Sequence, residues 1–423
     1  MSGRVHIIGA GLSGLSAAVR LAHKGIPVTV HEAAGHAGGR CRSYFESELD
    51  CDIDNGNHLV LNGNHATLDF LRLIGAEDTV HVPSPADIPF VDLVDGTRWS
   101  VRPGKGRIPW FALSSLRRIP GTSLKDYLQS WRMMWATDTQ AIKDVMPTGG
   151  VLWRRFWVPV IAAVTNTDPA AAGAATMRQV VVETLARGEA ACRPVFFPNG
   201  LSRSLISPAV DFVTAMGGQV RFNHRLRGVQ KINDTVSALE FVQDRVDLSD
   251  NDCVISAVPA AIAKDMFDGI VGPNAFSPIV NGHFRLKQAF DAPPLLAVVG
   301  GTAEWLFSRE DVVSVTVSAA ASLVDLPSET IAVRFWADIQ AAYGLVGVAM
   351  PPFRIVKEKR ATFLQTPDQL RRRPDCRTRW RNLYLAGDWT ATGLPATIEG
   401  SIRSGAAAAS AALDQVNKMS GST

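Results

Sequence analysis

The chain has 423 residues, 46% of them hydrophobic and 20% charged, enough for two sizeable cores rather than one. A net charge of +3 gives no electrostatic case for nucleic acid, and no window approaches the run of about 18 apolar residues that spans a bilayer. Cys41, Cys51, Cys192, Cys253 and Cys376 are odd in number and fit no metal-ligand spacing, and Met1-Ser2-Gly3-Arg4 does not open like a signal peptide; no disulfide framework, no metal and a cytoplasmic setting are expected.

In chain order, Val5-His6-Ile7-Ile8 predicts a strand and residues 12–24 a helix, with Leu15, Val19 and Leu21 at helical spacing and Gly25 as its stop. Val28 to Glu32 predicts a second strand, so the chain opens on a β-α-β unit. Its turn is Gly9-Ala10-Gly11-Leu12-Ser13-Gly14. Gly9 permits the tight turn, Gly11 lets backbone approach a pyrophosphate, and Gly14 lets helix and strand pack closely. The helix N-terminus presents free N–H groups to phosphate, and Glu32 is placed to accept from a ribose hydroxyl. The turn alone leaves NAD and FAD open.

Next comes Ala33-Ala34-Gly35-His36-Ala37-Gly38-Gly39-Arg40-Cys41-Arg42, whose paired glycines allow close approach and whose arginines can neutralise phosphate. Asp54-Asn55-Gly56-Asn57-His58 follows closely enough to lie beside the cofactor's ring. Asn55, Gly56 and Asn57 are candidates to approach the cofactor, Gly56 and Asn57 through their backbone; Asp54 and His58 are candidates for proton handling.

In the middle of the chain, Trp110-Phe111, Trp131, Met133-Met134-Trp135, Trp153, Phe156-Trp157 and Trp336 supply bulky apolar surface for a large, greasy ligand, or an ordinary core. Residues 105–118 mix basic and aromatic side chains as membrane-surface elements do. Further on, Pro198-Asn199-Gly200 opens a helical stretch ending at Gly217-Gly218, after which residues 220–222 and 226–232 read as a hairpin. Residues 252–259 predict a strand returning to the first sheet. Residues 382–385 predict another, ending in Gly387-Asp388, and the alanine-rich 402–413 a closing helix.

The expected fold is α/β: a Rossmann-like cofactor domain (GxGxxG type) from residues 1–75, 195–265 and 355–423, with an inserted α+β substrate-binding domain from 76–194 and 266–354.

Glu32 and Gly38-Gly39-Arg40 are similar to the second signature of the amine oxidase and phytoene desaturase flavoproteins. Within that superfamily, residues 39–45, 54–58, 357–363 and 386–400 resemble the squalene-associated, FAD-dependent hydroxysqualene dehydroxylases. The resemblance implies FAD, with Arg40 beside the pyrophosphate, Gly387-Asp388 on the ribityl chain, the backbone of Thr397 and Ile398 at the pyrimidine ring, and Leu226 offering backbone to the adenine. It implies a polyisoprenoid substrate, hydroxysqualene reduced to squalene with reduced FAD as hydride donor, on the way to hopanoids. Peripheral contact with the inner membrane surface accompanies that expectation. Carotenoid-type desaturation and amine oxidation on the same fold would run the flavin in the opposite direction. A non-catalytic prenyl-lipid carrier would have no use for the flavin contacts.

Overall fold

The computed structural model describes residues 3–106, 114–115, 117–345 and 347–420. The opening strand, Val5–Ile8, runs through the middle of a parallel five-stranded sheet. The order across it is Leu383–Leu385, Cys253–Ser256, Val5–Ile8, Val28–His31 and Gln219–Arg221. Its central strands are buried on both faces, which is why they read as near-continuous apolar runs.

The helix Leu12–His23 lies against the last helix, Ile398–Ser420, so the two ends of the chain share one core. Their approach is close because small residues meet there: a Cβ on Gly405 would lie 2.1 Å from the Ser13 carbonyl oxygen. The Ser16 hydroxyl donates to the Ile402 carbonyl at 2.8 Å.

The second large sheet has seven strands, in the order Phe353–Phe363, Phe276–Arg285, Val312–Val317, Trp305–Arg309, Leu295–Val299, Ile88–Asp92 and Arg98–Val101. All its pairings are antiparallel except that of Leu295–Val299 with Ile88–Asp92. One face (Val280, Phe284, Val313, Val315, Val317) packs on the helix Ser328–Tyr343. On the other, Leu295, Ala297, Trp305 and Phe90 pack against the helical region that includes Ile142, Leu152, Ile161 and Met177.

Two sequence expectations change. Residues 355–363, assigned to the cofactor domain, lie in the edge strand of the seven-stranded sheet, where Phe276–Arg285 offers the longer antiparallel partner. Residues 220–222 and 226–232 are not a hairpin. Gln219–Arg221 joins the parallel sheet beside Val28–His31, whereas Leu226–Ile232 turns back through Asn233, at φ 53°, onto Thr235–Phe241. Local strand propensity could not say which edge each segment would find.

Candidate active site

The five-stranded sheet reverses its strand order between Val5–Ile8 and Cys253–Ser256, and the crevice beyond the carboxyl ends of such strands is where α/β folds bind ligands. The glycine turn sits in that crevice. Gly9, at φ 107°, donates its N–H to the His31 carbonyl at 2.8 Å. A Cβ on Gly14 would lie 1.9 Å from the Gly9 oxygen, so only glycine fits. A Cβ on Gly11 would meet nothing within 4 Å. The helix starts at Leu12 with no side-chain cap and no acid in its first turn, leaving the N–H groups of Leu12, Ser13 and Gly14 without intrahelical acceptors.

Glu32 does more than the sequence suggests. Its two carboxylate oxygens accept the N–H groups of Ala10 at 2.7 Å and Ala34 at 2.8 Å, so it braces the turn and, across Ala33, the loop that follows. That loop folds back: Gly38 donates to the Ala10 carbonyl, and Gly38 and Gly39 take φ values of 101° and 56°. A Cβ on Gly39 would lie 3.6 Å from the Gly11 Cα, so the two glycine turns face each other.

Arg40 and Asp388, 348 positions apart, form an ion pair at 2.9 Å; the arginine side chain is 43% exposed and the carboxylate nearly buried. Asp388 holds the Arg40 guanidinium above its usual range, and Arg40 also donates to the Ala361 carbonyl. Gly387 donates its N–H to the Ser404 hydroxyl at 2.8 Å. Thr397 closes the start of the last helix, its hydroxyl accepting the Gly400 N–H at 3.1 Å, and Ile398 is buried against the helix Leu12–His23. Leu226 is buried with Ile8, Leu239 and Phe241.

The loop after Cys51–Asp54 enters from one side. Asp54 is engaged with its own neighbourhood: one oxygen accepts the Ser43 hydroxyl at 2.5 Å and the Leu201 N–H at 3.0 Å, and the other faces Arg309 at 3.8 Å. Asn55 donates its N–H to the Arg42 carbonyl. Gly56 is buried under Asn281, and Asn57 donates to the Thr316 hydroxyl at 3.1 Å, which donates to Asn281 at 2.8 Å. His58 Nδ1 sits 2.8 Å from the Gly56 carbonyl; a carbonyl only accepts, so Nδ1 carries the hydrogen and Nε2 is left for another partner. Burial holds the His58 imidazole below its ordinary value.

These contacts place the loop on a polar patch of the seven-stranded sheet. Asn281, His283, Ser314 and Thr316 alternate with the valines that face the Ser328–Tyr343 helix. His283, pushed down to about 3 by burial, pairs with the Ser314 hydroxyl at 2.8 Å. Asn281, Thr316 and Ser404 were not singled out from sequence, because nothing local marks them. Arg373 was hidden in an arginine run: it threads inward, donating to the carbonyls of Asp388 and Leu394 and to the Thr392 hydroxyl.

The described residues include no group of three His, Cys, Asp or Glu side chains that could hold a metal. The sequence model described as Flavin containing amine oxidoreductase matches residues 12–413.

The chain belongs to that family. Its cofactor is accordingly FAD and its activity that of an oxidoreductase. It is 45% identical to the hydroxysqualene dehydroxylase of Sinorhizobium fredii across 99% of this chain and 100% of that protein. It is equally identical to the hydroxysqualene dehydroxylase of Rhodopseudomonas palustris, across 97% and 98%. Among solved structures, the cyclohexylamine oxidase of Brevibacterium oxydans shares its fold with a TM-score of 0.66 at 16% identity, covering 99% of this chain and 100% of that one.

The residues fit a dinucleotide of this kind. Gly11 and Gly39 leave a cleft that side chains would fill, and the uncapped helix end leaves N–H donors free for an anionic group. At the carboxyl end of Cys253–Ser256, the buried Ser256 hydroxyl has no partner among the described protein atoms.

The aromatic residues of the middle divide. Met133, Trp157 and Trp336 are core. Trp131 and Trp135, expected to line a pocket or a core, face solvent instead, and Trp110-Phe111 lies outside the described residues.

Proposed function

We propose that the protein is a hydroxysqualene dehydroxylase, replacing the hydroxyl of a polyisoprenoid alcohol with hydrogen to give squalene. The observation that carries this is 45% identity, sustained over the full length, to proteins that bear that name. The balance is simple: the C–O bond breaks as the oxygen takes a proton and leaves as water, and hydride fills the vacated carbon. FAD, when bound and reduced, supplies the hydride.

This chain's own residues bind, orient and protonate. The glycine turns, the first helix's N-terminus and Glu32 hold the ADP half, with Leu226 against the adenine. Arg40, paired with Asp388, balances pyrophosphate charge; Asp388 is then steered to the ribityl chain. The backbone of Thr397 and Ile398 caps the ring at a helix N-terminus, where reduced flavin carries negative charge. Asn55, Gly56 and Asn57 form the ring's other wall. His58 meets the substrate hydroxyl through Nε2 and, when protonated, donates to the departing oxygen; an imidazolium made more acidic by burial is the stronger donor. Asp54 acts through the loop it anchors. A dry, apolar pocket for the polyene excludes the water that would recapture an allylic cation. In this reading residues 76–194 and 266–363 form the substrate domain and the remainder the cofactor domain, and the protein works from the cytoplasmic side of the inner membrane; no described helix is long and apolar enough to cross one.

The test is anaerobic mixing of prereduced protein with hydroxysqualene. Squalene formed in step with flavin reoxidation is the expected result. A flavin that stays reduced, with the alcohol recovered intact, overturns the assignment.

A further inference from the structure

Leu124, Leu128, Trp131 and Trp135 are spaced by four, three and four residues along the helix Leu124–Ser130 and the 3₁₀ turn Trp131–Trp135 that continues it. They are 37%, 65%, 45% and 69% exposed. Trp131 and Trp135 are the exposed tryptophans among the described residues. The opposite side of the same segment is anchored. Met133 is buried, the Trp157 indole donates to the Ser130 hydroxyl at 2.9 Å, and the Tyr127 hydroxyl accepts the Ile119 N–H at 3.1 Å. The outward apolar stripe is therefore held in place rather than frayed.

Along the chain, residues 98–135 hold eight lysines and arginines against one acid, Asp126, although Arg102 is paired with Asp87 at 2.7 Å and the exposed Asp138 follows the stripe. Asp126 is engaged locally, accepting the N–H and hydroxyl of Ser123 at 2.7 and 2.9 Å. Arg117, Lys125 and Arg132 are exposed beside the stripe.

We propose that this stripe docks the protein on an anionic lipid bilayer. Two tryptophans and two leucines flanked by cations form an interfacial helix: the indoles settle at headgroup depth and the cations meet lipid phosphates. A second copy of the chain is a poor occupant, because a two-fold contact would set this cationic segment against itself. The proposal rests on the lipid-substrate reading for its purpose, since a polyisoprenoid alcohol resides in the bilayer, but its physical basis is independent of turnover.

The experiment is flotation of the FAD-loaded full chain with phosphatidylcholine vesicles, with and without phosphatidylglycerol. The wild type should float with the anionic vesicles and much less with the neutral ones, and roughly 1 M NaCl, where the Debye length is about 3 Å, should weaken binding. The double substitution Trp131→Ser with Trp135→Ser should lower the bound-to-free ratio about tenfold or more, with flavin content and turnover of detergent-dispersed hydroxysqualene unchanged. Equal flotation of variant and wild type, or no wild-type flotation on anionic vesicles, overturns the proposal. So does a change from dimer to monomer by light scattering with vesicle binding intact. Failure of the wild type to act on detergent-dispersed substrate, while it still floats, counts against the proposed reaction and leaves the docking surface standing.

Discussion

The two large sheets are built differently. Around the parallel sheet, backbone features dominate: Gly9, Gly38 and Gly39 at positive φ, uncapped N–H groups of the first helix, and a carboxylate that braces the turn. The seven-stranded sheet presents side-chain faces, valines packed on a helix on one and a mixture of amides, hydroxyls and aromatics on the other. A rigid cofactor with charged phosphates demands fixed donors at fixed places. A flexible hydrocarbon demands mainly shape and dryness, which many sequences satisfy.

The contrast is sharpest at two glycines. Gly14→Ala drives a Cβ against the backbone of Gly9, so the protein should be recovered without flavin and destabilised by about 3 kcal/mol or more. Gly282→Ala, in the seven-stranded sheet, puts its Cβ 2.8 Å from the buried Phe335 ring, a side chain rather than backbone. That variant should lose only about 1–2 kcal/mol and keep its flavin. Absorbance ratios and thermal melts distinguish the two, and equal behaviour would erase the distinction drawn between the sheets.

Acid should load the parallel sheet at two buried histidines and the seven-stranded sheet at one, His283. His6 and His31 are stacked and buried, and burial pushes them down to about 4 and about 3 from 6.5. The unfolded chain takes up protons that the folded one refuses, so this stability is complete above pH 6.5 and is lost as pH falls from there through about 4 and toward about 3. The total is on the order of several kcal/mol. His31 also holds Gly9 through its carbonyl, so flavin release should accompany the acid transition, and His31→Leu should flatten that limb. Flavin fluorescence and circular dichroism followed across pH 7 to about 4 would expose any decoupling.

Asp388→Asn keeps a hydrogen-bonding side chain but removes the charge opposite Arg40. Because that guanidinium is 43% exposed, solvent blunts the loss, and FAD affinity should fall about tenfold by titration of the apoprotein with the fold retained. His58→Gln should have the smallest effect on binding, none, and a selective one on chemistry. Single-turnover dehydroxylation should drop about tenfold or more, and its rise toward low pH should disappear. Unchanged single-turnover rates would remove His58 from proton transfer.

Much of the cofactor side was legible because its constraints are local. Gly9, Gly11 and Gly14 sit within one turn, and Gly38-Gly39-Arg40 within another. What remained hidden depends on where strands go. Residues 220–222 and 226–232 have equal claim to a hairpin until the parallel sheet takes the first and Thr235–Phe241 the second. Residues 355–363 follow the same rule. Asn281 and Thr316 become neighbours only across a strand pairing, and Trp131 and Trp135 look like a pocket wall or a core until the anchored side of their helix shows which way they face.

The opening and closing motifs are therefore determined by sequence alone, since backbone conformations that only glycine accepts and helix starts that leave N–H groups free are properties of a few adjacent residues. Tertiary structure decided the rest: that Arg40 meets Asp388, that Asp54 ties Ser43 to Leu201, and that two tryptophans point outward. Each depends on residues distant in the chain being brought within a few ångströms, and composition and periodicity do not specify that.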